Sequence, residues 1–128
     1  MQHDTDMNLG LTNIWEGACL DSAGNEKGRE INKHLATTAG LNHVLSSTLD
    51  AATQITAWYV GLKGAGAAAA ADTMASHAAW AEVVDYSQSV RQTLTLGTAA
   101  AGSIDNTASK ATYSINGTAT VAGAFINS

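Results

Sequence analysis

Trp58-Tyr59-Val60-Gly61-Leu62-Lys63, an alanine-rich spacer, and then Asp72-Thr73-Met74-Ala75-Ser76-His77-Ala78-Ala79-Trp80-Ala81-Glu82 form the stretch that decides the fold. Residues 53–62 crowd Ile55, Thr56, Trp58, Tyr59 and Val60 into a run that is apolar on both faces, the pattern of a central strand. The spacer, 64–71, is interrupted by Gly64 and Gly66 and has no polar face, so a loop is expected in spite of its alanines. Asp72 is then placed to cap a single helical turn through His77. The order is strand, loop, capped turn, strand.

Working outward, residues 80–88, 90–97, 110–115 and 118–126 give four further short strands, spaced as in an all-β sandwich. Asn116-Gly117 lies between Thr112-Tyr113-Ser114-Ile115 and Thr118-Ala119-Thr120-Val121, and both turn residues tolerate positive φ, so a two-residue type I′ hairpin is expected there. Residues 103–109 make the connecting loop. Upstream, 12–20 and 26–32 are strand-like around the turn residues Asp21-Ser22-Ala23-Gly24-Asn25, which predicts a hairpin. Leu35, Ala39, Leu41, Val44, Leu45 and Leu49 approximate helical spacing, predicting a helix over 33–49 that Asn32 caps and Gly40 weakens. The expected fold class is all-β, mainly β, with one short helix after the N-terminal hairpin. Residues 1–10 read as an N-terminal arm and 11–128 as a single β-sandwich domain. Were the alanine tract and 33–49 both long helices, the class would become α+β.

The chain of 128 residues is long enough for one core without staples. Bulk for that core is scarce: hydrophobic residues reach 45% but aromatics only 5%, leaving Trp15, Trp58, Trp80, Tyr59, Tyr86, Tyr113 and Phe125 as anchors. Ala, Gly, Ser and Thr make up about half the chain, well above ordinary usage. Such side chains pack thin layers and leave mildly apolar surfaces suited to subunit contacts. Proline is absent, for which we have no physical account.

A net charge of −5 with only six Lys plus Arg leaves no basic face to neutralise a phosphate backbone, which argues against nucleic acid as a partner. The acidic start, Met1-Gln2-His3-Asp4-Thr5-Asp6, lacks the charged and apolar regions of a secretory signal. No apolar run approaches membrane-spanning length. A soluble chain without a membrane partner is expected. Asp4, Asp6, Glu26, Glu30 and Asp50 read as a solvated acidic surface, or as a patch that meets a basic region on a partner.

Catalytic and metal chemistry find no candidate. His77 lies five residues from both Asp72 and Glu82, but no second His or Cys stands at ligand spacing, and His34 and His43 are nine apart. His77 is better read as fixing a turn by hydrogen bonding. Asp21-Ser22-Ala23-Gly24-Asn25-Glu26 departs from a calcium loop at its third position and in its glycine, and is read as a plain turn. Ser76-His77 adjacency lacks a nucleophile elbow. Gly61, Gly64 and Gly66 are not followed by the Lys-Ser/Thr of a phosphate loop. Cys19, the single cysteine, reads as a small buried hydrophobe, and Asn116-Gly117-Thr118 as a turn rather than a used sequon. No catalytic residue, metal or cofactor is assigned.

The central stretch, with Tyr86-Ser87 and Arg91 behind it, resembles a family of small virion proteins of tailed bacteriophages described variously as tail-fibre-like or capsid-stabilising. Glu30-Ile31-Asn32 with Thr38-Ala39-Gly40-Leu41-Asn42 is similar to that family's early helix, and 53–62 to its central strand. Asp72 through Trp80 is similar to its most recognisable signature. Ser103-Ile104-Asp105-Asn106-Thr107-Ala108-Ser109 and Gly123-Ala124-Phe125-Ile126 extend the resemblance over most of the chain. Ala79 departs from it, since the family favours glycine before the tryptophan; a turn that tolerates a Cβ is implied.

The resemblance implies a jelly-roll-like β-sandwich built into the virion, assembled in the host cytoplasm. The preferred expectation is a capsid cement or decoration protein on the outer shell that binds the major capsid protein and stabilises contacts between its subunits. A homo-oligomer, dimer or trimer, would match capsid symmetry axes. Trp15, Trp80, Tyr86 and Arg91 are the candidate interface residues; for the tryptophans, core packing is the competing role. The alternative is a tail or tail-fibre component that binds another tail protein or a host surface glycan.

Overall fold

A computed structural model describes residues 11–128. Asp4, Asp6 and the arm expected over 1–10 lie outside the described residues. The described residues fall into two compact units, one ending at Ala36 and the other Thr37–Ser128.

The first unit is an antiparallel hairpin of β1 (Asn13–Leu20) and β2 (Glu26–His34). Its turn is fixed by Asp21, whose Oδ1 accepts the amides of Ala23 and Asn25, each at 2.9 Å. Gly24 takes φ 84°, a left-handed conformation that glycine adopts without penalty. The Asn25 amide, with that of Ala23, holds the Asp21 carboxyl below its ordinary pKa, and a turn forms over the residues where the sequence predicts one. Pairing runs from Asn13↔His34 to Cys19↔Gly28, then slips so that Leu20 faces Glu26; the extra residue, Lys27, is on β2. Lys33 and His34, expected in the helix, extend β2 instead.

The second unit opens with α1 (Thr38–Leu49). Its N-cap is Thr37, not Asn32: Thr37 is extended at φ −70°, ψ 156°, and its Oγ1 accepts the Gly40 amide at 3.3 Å. The Thr38 amide reaches the Ala70 carbonyl at 2.8 Å, which ties the helix start to the alanine-rich loop. At the other end Ala51 is left-handed, φ 52°, and the Ala52 amide donates to Ser46 O.

A four-stranded antiparallel sheet is organised about β3 (Tyr59–Lys63). On one side β6 (Gly123–Asn127) pairs along all five residues; on the other, β4 (Glu82–Val83) takes the Leu62–Lys63 end and β5 (Gln92–Thr93) the Tyr59–Val60 end. The strand expected over 53–62 is central in its second half, from Tyr59 on, whereas residues 53–58 are irregular. There the Trp58 Nε1 donates to Ile55 O at 3.2 Å in a local turn. Leu62 stands opposite both Val83 and Ala124, the two buried hydrophobic side chains among the described residues, at 8% and 7% exposure.

Most of the remaining strand expectations shorten or fail. Residues 110–115 and 118–122 are irregular apart from a bridge between Tyr86 and Ile115. The Asn116-Gly117 hairpin does not form: neither residue has positive φ, and the Asn116 amide donates to Asp85 O, while Ser87 N donates to Ser114 O. A turn of the type I′ kind falls at Ala101-Gly102, φ 50° and 73°, between the mutually bonded Ala100 and Ser103. The strand-rich, antiparallel character with one short helix after the hairpin is as expected.

Candidate functional site

Register places Gly61 opposite Phe125 and Lys63 opposite Glu82, so these side chains share one face of the β3 sheet. Gly61 is buried under the Phe125 ring; a Cβ at this position would collide with three of its carbons. The absent side chain is what lets the ring lie flat on the sheet. Trp80 approaches Phe125 from one side, ring centroids 5.2 Å apart, and the Arg91 guanidinium lies over the same ring at 5.3 Å.

Between β3 and β4 the chain makes a closed excursion: the Gly64 amide donates to Ala81 O at 2.8 Å, and residues 65–80 loop out between them. No helical turn forms at 72–77. Asp72 caps backward and across, its Oδ2 accepting the Ala69 amide and the Trp80 indole Nε1, both at 2.9 Å. The Ala69 amide, then the indole, hold the Asp72 carboxyl below its usual pKa. His77 stacks on Trp80 with centroids 4.0 Å apart, and its Nδ1 lies 3.0 Å from Trp80 O. The reading of His77 as a turn-fixing residue thus matches its geometry. Lys63 closes the other limb, bonding Gly64 O at 3.0 Å and Gly66 O, with its ammonium 5.9 Å from the Trp80 ring centre.

The Arg91 guanidinium is held by a bidentate pair to Glu82, at 2.7 and 2.6 Å. Glu82 raises the Arg91 pKa further. Tyr86 packs on Tyr113, centroids 4.6 Å apart, and burial and then the Glu82 charge push its phenol pKa up, with Arg91 opposing. A shallow depression lined by Ala75, Ser76, His77, Trp80 and Glu82 opens beside the ring stack.

Of the four residues expected at an interface, Trp80, Tyr86 and Arg91 belong to this half-buried cluster. Trp15 belongs to the hairpin unit, where its ring covers Gly17 and tilts toward His34 at 6.2 Å. Trp80 and Arg91 are packing residues that present only part of themselves outward. Asp72, Phe125, Glu82 and Tyr113 complete the cluster and were not singled out from the sequence as site residues; Gly61 within a strand was the one local sign of a ring lying above it. Cys19, expected in a core, is exposed on β1.

The arrangement brings together aromatic faces, one bidentate ion pair and a loop fixed by hydrogen bonds. Among the described residues no group of three His, Cys, Asp or Glu side chains converges to hold a metal ion, and no helix is long and apolar enough to cross a membrane. In comparisons with known proteins, no family model, curated protein or solved structure matches this chain.

Proposed function

We propose that this chain is a non-catalytic structural protein of a tailed-bacteriophage virion, and that it acts as a capsid cement or decoration protein. In this role it sits on the outer shell, binds the major capsid protein and stabilises contacts between its subunits, with neither nucleic acid nor membrane as partner. The observation that supports an assembly role is the burial pattern. Val83 and Ala124 are the buried hydrophobic side chains among the described residues, whereas Leu41, Val44, Leu45, Leu49, Val90, Ile104, Ile115 and Val121 are all exposed. A chain that buries so little apolar surface by itself gains stability by burying more against other subunits. The virion assignment rests on the sequence resemblance of the Asp72–Trp80 signature and its flanks.

Within this reading the sheet about β3 is one layer of a jelly-roll-like sandwich. Its support is the gathering of three partner strands from distant parts of the chain onto β3. The loop 65–80, pinned by Asp72 and Trp80, is the element best placed to meet a shell subunit, since its conformation is set before contact. A tail or tail-fibre role is the second reading, and the half-buried His77–Trp80 ring stack is the feature that would serve a glycan or another tail protein there.

Quantitative mass spectrometry of virions that carry the chain, against their most abundant shell protein, tests the proposal. Copy numbers on the order of hundreds, as shell symmetry requires of a repeated subunit, support the cement role. A handful of copies moves the chain to the tail, and absence from the particle overturns the virion reading.

A further inference from the structure

The two edges of the hairpin differ. The β2 edge carries Glu26, Lys27, Arg29, Glu30 and Lys33 and is interrupted by its bulge at Lys27, both devices that blunt an edge against further pairing. The β1 edge runs eight residues in unbroken alternation and carries one charge, Glu16, which pairs with Arg29 of the same hairpin, an arginine that Glu26 also holds. Among the described residues no strand pairs with the outer edge of β1. Ile14 and Leu20 on its even face are 62% and 57% exposed. A two-stranded ribbon is marginal by itself in water and gains from a third and fourth strand.

We infer that the outer edge of β1 pairs antiparallel with β1 of a second copy of this chain, about a two-fold axis at Gly17. The occupant follows from register and charge. In a symmetric antiparallel pair, residues face each other across the axis in couples of the same parity. An axis at Gly17 sets Glu16 opposite Ala18, Trp15 opposite Cys19, and Ile14 opposite Leu20, so apolar side chains meet and no like charges do. Moving the axis to Glu16 opposes two glutamates. The same construction on β2 fails at each central position: an axis at Gly28 faces Lys27 with Arg29 and Glu26 with Glu30, an axis at Arg29 faces two arginines, and one at Glu30 faces two glutamates. Like charges directly opposite destabilise a ladder. The Trp15 ring lies over Gly17, so two indoles would flank the axis on one face of the resulting sheet.

This inference does not depend on the virion reading, because it concerns the purified chain alone. Sedimentation equilibrium of the full chain is expected to give twice the 13.1 kDa chain mass. Ala18→Glu places a carboxylate opposite Glu16 of the second copy at two symmetric positions, and about a tenfold rise in the dimer dissociation constant is expected. Ala18→Lys, which meets the same Glu16 with opposite charge, is expected to keep the dimer. Because residue 18 faces Arg29 within its own hairpin, the glutamate variant has a favourable partner in the folded monomer; an unchanged circular dichroism spectrum verifies its fold. In a Cys19→Ser background, Ile14→Cys with Leu20→Cys is expected to give an oxidised covalent dimer. A wild-type chain that stays at 13.1 kDa, a trimer, or an Ala18→Glu variant that dimerises as wild type overturns the inference.

Discussion

Tyr113 donates its hydroxyl to the Val60 carbonyl, a residue 53 positions earlier, and the same oxygen accepts the Gln92 amide at 3.1 Å. Val60 and Gln92 are register partners in the β3–β5 ladder. A phenol therefore stands where a direct backbone bond would otherwise close, and it links an irregular segment to the sheet. Burial is the chief cause of a raised Tyr113 pKa, which keeps the hydroxyl a donor.

Tyr113→Phe leaves a carbonyl and an amide without their partner, and is expected to lower unfolding free energy by about 1–3 kcal/mol, read by urea denaturation. Tyrosine favours its neutral form in the fold, so its contribution is complete below the unfolded pKa near 10 and is lost as pH rises through the higher folded value. Wild-type stability should thus fall at alkaline pH more steeply than that of Tyr113→Phe.

Gly61→Ala drives a Cβ into the Phe125 ring, and a destabilisation of about 1–3 kcal/mol is expected from overpacking. Combining it with Phe125→Leu should cost less than the sum of the two single changes, because the leucine vacates the space. Strict additivity in thermal melts would show that the ring does not lie on Gly61.

Asp72 has a depressed folded pKa, so its stabilising contribution is present above the unfolded value of 3.8 and is lost as pH falls through the lower folded one. Below that window the Trp80 indole loses its charged acceptor. Trp80 fluorescence should titrate in acid in the wild type. Asp72→Asn, which keeps an acceptor but cannot ionise, should abolish that transition while leaving the loop folded.

The Glu82–Arg91 pair is part-buried and bidentate, and Arg91 also covers Phe125. Arg91→Lys retains the charge but not the planar fork, so a loss of about 1 kcal/mol is expected. A double-mutant cycle with Glu82→Gln and Arg91→Met should return a coupling of similar size, about 1 kcal/mol; zero coupling would make the pair ornamental.

Ala101 occupies left-handed backbone, where a Cβ is penalised. Ala101→Gly or Ala101→Asn should raise stability by about 0.5–1 kcal/mol, measured by denaturant midpoint at constant m-value.

The hairpin was legible because Asp21, Gly24 and Asn25 carry their own turn chemistry within five residues. The site was legible in part: Trp80, Tyr86 and Arg91 were marked by residue type and nearness in sequence, whereas Phe125 and Tyr113 reach the cluster through pairing across the sheet, which no local pattern encodes. Asn116-Gly117 had ideal turn residues but lost to Asp85, whose carbonyl takes the Asn116 amide and draws the segment alongside 85–87. At Ala101-Gly102 the geometry appears with an alanine that propensity would not have chosen. Asn32 was passed over as a cap because Lys33 and His34 are claimed by cross-strand partners in β1, leaving Thr37 as the first free position.

The central place of β3 has a consequence for how the chain is made. Its three partners are synthesised roughly 20, 30 and 60 residues later, and the last, Gly123–Asn127, supplies its full-length pairing. While a ribosome is still translating the intervening segments, β3 has no completed ladder, whereas the hairpin closes from neighbouring residues early in translation. Nascent chains on one messenger would therefore present finished β1 edges to one another before the β3 sheet of either copy exists, so contact between copies can precede the folding of the body that carries the Trp80 cluster.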